Sequence, residues 1–173
     1  MKSVSKLKTK ILFVCLGNIC RSPLAEAIFL HQLKIAGMED KFSADSCGTS
    51  GHHAGDNPDS RTIRNARKNG IEILHIGRQF MVQDFNSADM IVAMDKKNFS
   101  NIQSLAFQNG FHKADIRMMR SFDPEAQLDA DVPDPWYGGD EGFEEVFQIL
   151  WRSCGRLASD LTKSIPKQTI EKP

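Results

Sequence analysis

The sequence has no excess of charge: 22 lysines and arginines stand against 22 aspartates and glutamates. A neutral chain carries no global electrostatic signature of nucleic-acid or membrane binding. It also lacks any apolar run long enough to span a bilayer. The apolar stretch Ile11–Leu16 follows several lysines but is short, is broken by Gly17-Asn18, and has no cleavage-like segment behind it, so it does not read as a secretory signal. Cysteine is scarce, four in 173 residues. Without a secretory signal the expected compartment is the cytoplasm, where thiols stay reduced. Cys15, Cys20, Cys47 and Cys154 then call for an explanation in packing or chemistry rather than in disulfides. There is no internal repeat and no low-complexity segment.

What is present is the composition of an ordinary globular protein, 40% hydrophobic and 25% charged. A chain of this length can bury a core without disulfides. One domain is expected over 10–163, between polar tails at 1–9 and 164–173 that are expected to be mobile. Lys10–Leu16 is a near-continuous apolar run, as in a strand buried on both faces. Ser22 offers an N-cap and Pro23 a favoured first helical residue. Ala25, Ile28, Phe29, Leu33 and Ala36 recur at helical spacing up to Gly37.

Further strands are predicted at Phe42–Cys47, Ala88–Met94 and Ala114–Met118. A loop is expected over Thr49–Ser60, a polar helix over Pro58–Asn69, and a helix after Asp95 as N-cap. Asp131–Gly139 reads as a loop. A long terminal helix carries one stripe: Phe143, Val146, Phe147, Leu150, Trp151, Cys154, Leu157, Ala158 and Leu161. Strands alternating with helices predict a single-domain α/β fold, a parallel sheet with helices on both faces. Ligands in such folds bind beyond the carboxyl ends of the strands.

The chemistry concentrates where the first strand meets the first helix, in Cys15-Leu16-Gly17-Asn18-Ile19-Cys20-Arg21-Ser22-Pro23. Backbone amides of a tight turn converge into an anion nest, and the helix adds its free donors and positive dipole end. Gly17 permits close approach, and Asn18 tolerates a left-handed conformation. Arg21 suits two oxygens of a phosphate at once. The same positive surroundings favour a thiolate at Cys15, which lies beneath the cradle and is placed for in-line attack on phosphorus. Ser22 can donate its hydroxyl to that sulfur. Taken singly, a strand-end cysteine is a small hydrophobe and an arginine a surface residue; the functional reading comes from the spacing.

The cluster resembles the signature of the low-molecular-weight protein tyrosine phosphatases, C-x5-R-[ST], in the fuller form V-C-x-G-N-x-C-R-S-P, matched from Val14 to Pro23 without a mismatch. The resemblance runs over roughly Lys10–Leu161. It implies a four-stranded parallel twisted sheet with helices on both faces and a phosphate loop after the first strand. It further implies hydrolysis of phosphotyrosine through a cysteinyl-phosphate intermediate, independent of metal and without a cofactor. Leu16, Gly17, Asn18, Ile19, Cys20, Arg21 and Ser22 would bind the phosphate.

A phenolate leaves poorly unless protonated, so a general acid is needed. Asp129, Asp131 and Asp134 all lie in the same region. The resemblance of Asp134-Pro135-Trp136-Tyr137 to the family's D-P-[YW]-[YW] loop selects Asp134. It also implies that Ile19, His52, Trp136 and Tyr137 wall the pocket, that Asn18, Ser22, Ser46 and His75 hydrogen-bond the loop into shape, and that Cys20 pairs reversibly with Cys15 under oxidant. Cys47 and Cys154 read as packed structural cysteines. The expected partner is a phosphotyrosine-containing protein, with phosphate or other oxyanions competing; neither nucleic acid nor membrane is expected, and the chain should be a monomer or weak dimer.

Three rivals are weighed against this. An arsenate reductase of the same fold needs redox cysteines near Arg78–Ser87, where there are none. A protein arginine phosphatase typically has threonine where Ile19 stands. A silent phosphate-binding module would lack nucleophile, arginine or acid. A metal site is not expected, because Cys15 and Cys20 lack a second ligand pair and His52-His53 is isolated.

Overall fold

The computed structural model describes residues 8–164. The two tails expected to be mobile lie almost wholly outside that range. Only Lys8, Thr9 and Ser164 of them are described, and Thr9 already pairs in a strand, its amide donating to the Lys41 carbonyl at 3.0 Å.

Four strands, β1 (Thr9–Cys15), β2 (Phe42–Gly48), β3 (Met90–Ala93) and β4 (Ile116–Met118), form one sheet in the order β2-β1-β3-β4. Every pairing is parallel. Among the described residues five α-helices accompany them: α1 (Arg21–Ile35), α2 (Ser60–Lys68), α3 (Asp84–Ser87), α4 (Lys96–Gln108) and α5 (Asp140–Lys163).

The apolar run of β1 explains its central place. Successive side chains point to opposite faces of the sheet. Ile11, Phe13 and Cys15 join one core with Leu24, Phe29, Phe147 and Leu150 of α1 and α5. Leu12 and Val14 join a second core with Phe85, Ile91 and Ile102 of α3, β3 and α4. A strand flanked by a core on each side has no polar face to spare. Each such side chain contributes about 1.5–3 kcal/mol on burial. From β1 the chain turns first to β2 on one side and later to β3 on the other. The crevice where the strand order reverses therefore opens at the carboxyl end of β1, at Cys15.

Several local expectations shift. Cys20, not Ser22, occupies the cap position of α1 and makes no side-chain cap bond, because the Ser22 hydroxyl is held by Cys15 and the Cys47 carbonyl. α2 starts at Ser60, capped by Asp59, which accepts from the Arg61 amide at 2.8 Å. β3 is shorter than the apolar run suggests, and α3 is a single turn that has too little sequence to show a period. Asp131–Gly139 contains a 3-10 turn at Pro135–Tyr137. The α5 stripe is buried as expected except Trp151 and Leu161, which are half-buried. Among the described residues no helix is long and apolar enough to cross a membrane.

Candidate active site

Between the end of β1 and the start of α1 the chain makes the tight turn that the motif predicts. Asn18 adopts a left-handed conformation, φ 58°, and its amide donates to Cys15 Sγ at 3.2 Å. Ser22 Oγ lies 3.0 Å from the same sulfur. The turn is strapped to the chain that follows β2: the Thr49 and Ser50 amides donate to the Cys15 and Leu16 carbonyls, both at 2.9 Å. Gly48 makes this approach possible, because a Cβ there would stand 2.6 Å from the Leu16 carbonyl oxygen.

The Asn18 side chain is fully buried and organises the loop from behind. Its amide nitrogen donates to Ser22 Oγ at 2.9 Å and to Ser46 Oγ at 3.0 Å. Its carbonyl accepts from His75 Nε2 at 2.7 Å and from the Arg78 amide at 2.8 Å. Ser46 in turn donates to Glu26 at 2.7 Å, and the same carboxylate faces His75 Nδ1 at 3.1 Å. Preorganised donors of this kind cost no rearrangement when charge develops at the reacting centre.

Arg21 is 3% exposed. Its Nη1 donates to Asp95 at 2.8 Å and to the Val132 carbonyl at 3.0 Å. Its Nη2 reaches Asp134 Oδ2 at 3.3 Å. Burial works against the guanidinium charge, but the sulfur of Cys15 and the carboxylates of Asp134 and Asp95 outweigh it and raise its pKa. Asp134 Oδ1 accepts from the Trp136 amide at 3.1 Å. These groups surround a cleft of about 330 Å³. Cys15, Arg21 and Ile19 lie at its buried base, and Trp136 and the almost fully exposed Tyr137 form its rim.

The structure brings the expected site residues together. Cys15, Leu16, Gly17, Ile19, Cys20, Arg21, His52, Asp134, Trp136 and Tyr137 line the cleft, while Asn18, Ser22, Ser46 and His75 stand behind it. Burial pushes the Cys20 thiol up to about 12, so it is an S–H at neutral pH. Cys47 and Cys154 are buried and raised by the same cause.

Several participants were not read from the sequence. Asp95 was expected only as a helix cap; its Oδ1 does cap the Asn98 amide at 2.7 Å, while Oδ2 holds Arg21. His53 packs its ring 6.0 Å from that of Trp136 and pairs with Asp56 at 2.9 Å. Glu26 and Arg61 also join the surroundings of the site. The one signal available for Asp95 was an acidic residue at the carboxyl end of a strand, where such folds place their ligands. Among the described residues, Glu26, Asp45 and His75 bring ligand atoms within 4.8 Å of one another. Asp45 is already engaged by Lys10 and Arg78, and Glu26 by Ser46 and His75.

The family model described as low molecular weight phosphotyrosine protein phosphatase matches residues 10–168. The low molecular weight phosphotyrosine protein phosphatase of Mus musculus is 42% identical over 144 residues, 83% of this chain and 90% of that one. A protein tyrosine phosphatase of Entamoeba histolytica superposes with a TM-score of 0.84 at 36% identity, over 90% of this chain and 98% of that one. A Drosophila arginine phosphatase is also similar, with a TM-score of 0.82 at 29% identity, over 91% of this chain and 100% of that one. The chain belongs to the low molecular weight phosphotyrosine protein phosphatase family, hydrolases of phosphoric monoesters whose substrates are phosphoproteins.

Proposed function

We propose that this chain hydrolyses phosphotyrosine in proteins, with Cys15 as nucleophile, Arg21 as phosphate clamp and Asp134 as general acid and then base. The observation that carries the reading is a sulfur held between Ser22 Oγ and the Asn18 amide at the base of a cleft, with Asp134 lining the same cleft and accepting from Arg21.

Substrate phosphate settles on the amides of Leu16–Ser22 and on Arg21. Asp95 and the Val132 carbonyl keep hold of Nη1, while Nη2 exchanges Asp134 for a phosphate oxygen. Cys15 Sγ attacks phosphorus, the P–O bond to the ring breaks, and Asp134 delivers its proton to the departing oxygen. The Asp134 carboxylate then takes a proton from water, which attacks phosphocysteine. The sulfur leaves as a thiolate steadied by Ser22. Arg21 and the loop amides supply the charge stabilisation, so these steps call for neither metal nor cofactor. Ile19 presents an apolar wall, which suits an aryl ring better than a guanidinium, and Trp136 adds a flat face on which an aryl ring can stack.

The same reading makes Cys20 the resolving thiol. Peroxide oxidises the Cys15 thiolate to sulfenic acid, and Cys20 condenses with it to a disulfide with loss of water. It places the chain in the cytoplasm as a monomer or weak dimer, with inorganic phosphate as a competing ligand.

The test is hydrolysis of para-nitrophenyl phosphate, with chelator present, by wild type, Cys15→Ser and Asp134→Ala, beside phosphotyrosine and phosphoarginine peptides. Activity should vanish in Cys15→Ser, fall about 10²–10⁴-fold in Asp134→Ala on substrates with poor leaving groups, and favour phosphotyrosine. An inert wild type, or an active Cys15→Ser, sinks the covalent mechanism; a preference for phosphoarginine sinks the substrate assignment.

A further inference from the structure

The loop that carries Asp134 has little regular structure of its own, a single 3-10 turn at Pro135–Tyr137 followed by Gly138 and Gly139. Yet the proton must arrive at one oxygen atom. We propose that Arg61, at the start of α2, is the positioning residue that holds Asp134 over the phosphate loop. This inference rests on the role of Asp134 given above.

The argument follows a continuous chain of bonds. The Asp59 amide donates to the carbonyl of Ile19, in the phosphate loop, at 2.8 Å. The Asp59 carboxylate receives Arg61 as a two-pronged fork, Nε to Oδ1 at 3.0 Å and Nη2 to Oδ2 at 2.8 Å. The remaining Nη1 donates to the Trp136 carbonyl at 3.1 Å. The Trp136 amide closes the path on Asp134 Oδ1. The two loops that must cooperate in phosphoryl transfer are thus joined through one arginine.

The guanidinium also lies over two rings, 5.3 Å from the centroid of Trp136 and 4.7 Å from that of Phe143 in α5. A fork that fixes its plane and stacks at once is a property of arginine that lysine does not share. Arg61 is not among the residues lining the cleft. It acts through Trp136 on Asp134, so its loss should tell on proton delivery and leave phosphate binding alone.

The experiment compares Arg61→Met and Arg61→Lys with wild type on phenyl phosphate, whose leaving group needs a proton, and on 2,4-dinitrophenyl phosphate, whose leaving group does not. Inhibition by inorganic phosphate reports on the cradle in the same preparations. Arg61→Met should lower kcat/KM for phenyl phosphate about 10- to 100-fold, the scale of a small misplacement of a catalytic group. The dinitrophenyl ester and the phosphate inhibition constant should stay within about threefold, Arg61→Lys should recover only part of the loss, and in an Asp134→Ala background Arg61→Met should add less than about threefold.

Equal losses on both esters, or a full loss persisting without Asp134, overturns the proposal. A weakened phosphate inhibition constant does so as well, since it places the damage in the cradle. If Asp134→Ala shows leaving-group dependence and Arg61→Met does not, Arg61 alone loses its role. If Asp134→Ala itself shows none, the assignment of the acid falls and takes this proposal with it.

Discussion

Asn18 is the residue whose replacement the structure prices most clearly. Asn18→Ala removes two donated and two accepted hydrogen bonds at a fully buried position. The partners do not suffer equally. Ser22 Oγ keeps Cys15 and Cys47, and Ser46 Oγ keeps Glu26, so those two losses cost about 0.5–1.5 kcal/mol each. The Arg78 amide and His75 Nε2 face the vacated carbonyl. An orphaned buried donor costs about 1–3 kcal/mol. Alanine at φ 58° adds about 1 kcal/mol of backbone strain. Together these ranges come to about 4–10 kcal/mol, comparable with the ~5–15 kcal/mol that holds a domain of ordinary stability. Urea unfolding with a shared m-value measures it. The same substitution should lower kcat/KM about 10²-fold by loosening the loop under the nucleophile. Asn18→Gly separates the terms, relieving the strain while losing the bonds, and should lie about 1 kcal/mol above alanine. If Asn18→Ala unfolds within 1 kcal/mol of wild type, or keeps kcat/KM within about twofold, the network does not organise the loop and the reasoning fails.

Gly48→Ala, which drives a Cβ towards the Leu16 carbonyl, should cost about 1–3 kcal/mol and reduce activity more than stability alone explains; unchanged denaturation and turnover would show that the loop has room. Cys20→Ser should keep phosphatase activity but lose its recovery by thiol after peroxide treatment, and full recovery in the variant would remove Cys20 as resolving thiol. Asp59, whose carboxyl the Arg61 fork holds below the usual range, and Glu144, lowered by Gln148 and Asn65, have folded pKa values beneath their unfolded ones. Their stabilisation is therefore complete above about pH 4–5 and is lost as pH falls through the folded values. Denaturation midpoints should drop on that acid limb, and Asp59→Asn should flatten part of it; a midpoint independent of pH from 6 to 3 would contradict the paired geometry.

The parts of the site that could be read in advance are those that local chain geometry decides. Cys15, Asn18, Arg21 and Ser22 share one strand-turn-helix junction. Their mutual placement follows from backbone conformation over a few residues, so residue type and spacing suffice. The two-sided burial of β1 was equally legible, because a run without polar alternation has no solvent face. Asp134 was legible only through the resemblance of its loop, since composition alone did not separate it from Asp129 and Asp131. Element ends were less readable: Ser22 looked like a cap, but the sulfur of Cys15 competes for its hydroxyl.

Asp95, Glu26, His53 and Arg61 show where reading along the chain stops. Asp95 has the local signature of an N-cap and is one; its second oxygen meets Arg21 only because β3 lies beside β1. Arg61 looks like one basic residue on a polar helix until α2 is packed near Phe143 and Trp136. The sequence by itself determined the strand-turn-helix junction that sets Cys15 and Arg21 around one loop, because contiguous residues carry it. The tertiary structure alone decided what holds the Arg21 and Asp134 side chains in place, because those contacts join elements whose adjacency depends on strand order and helix packing.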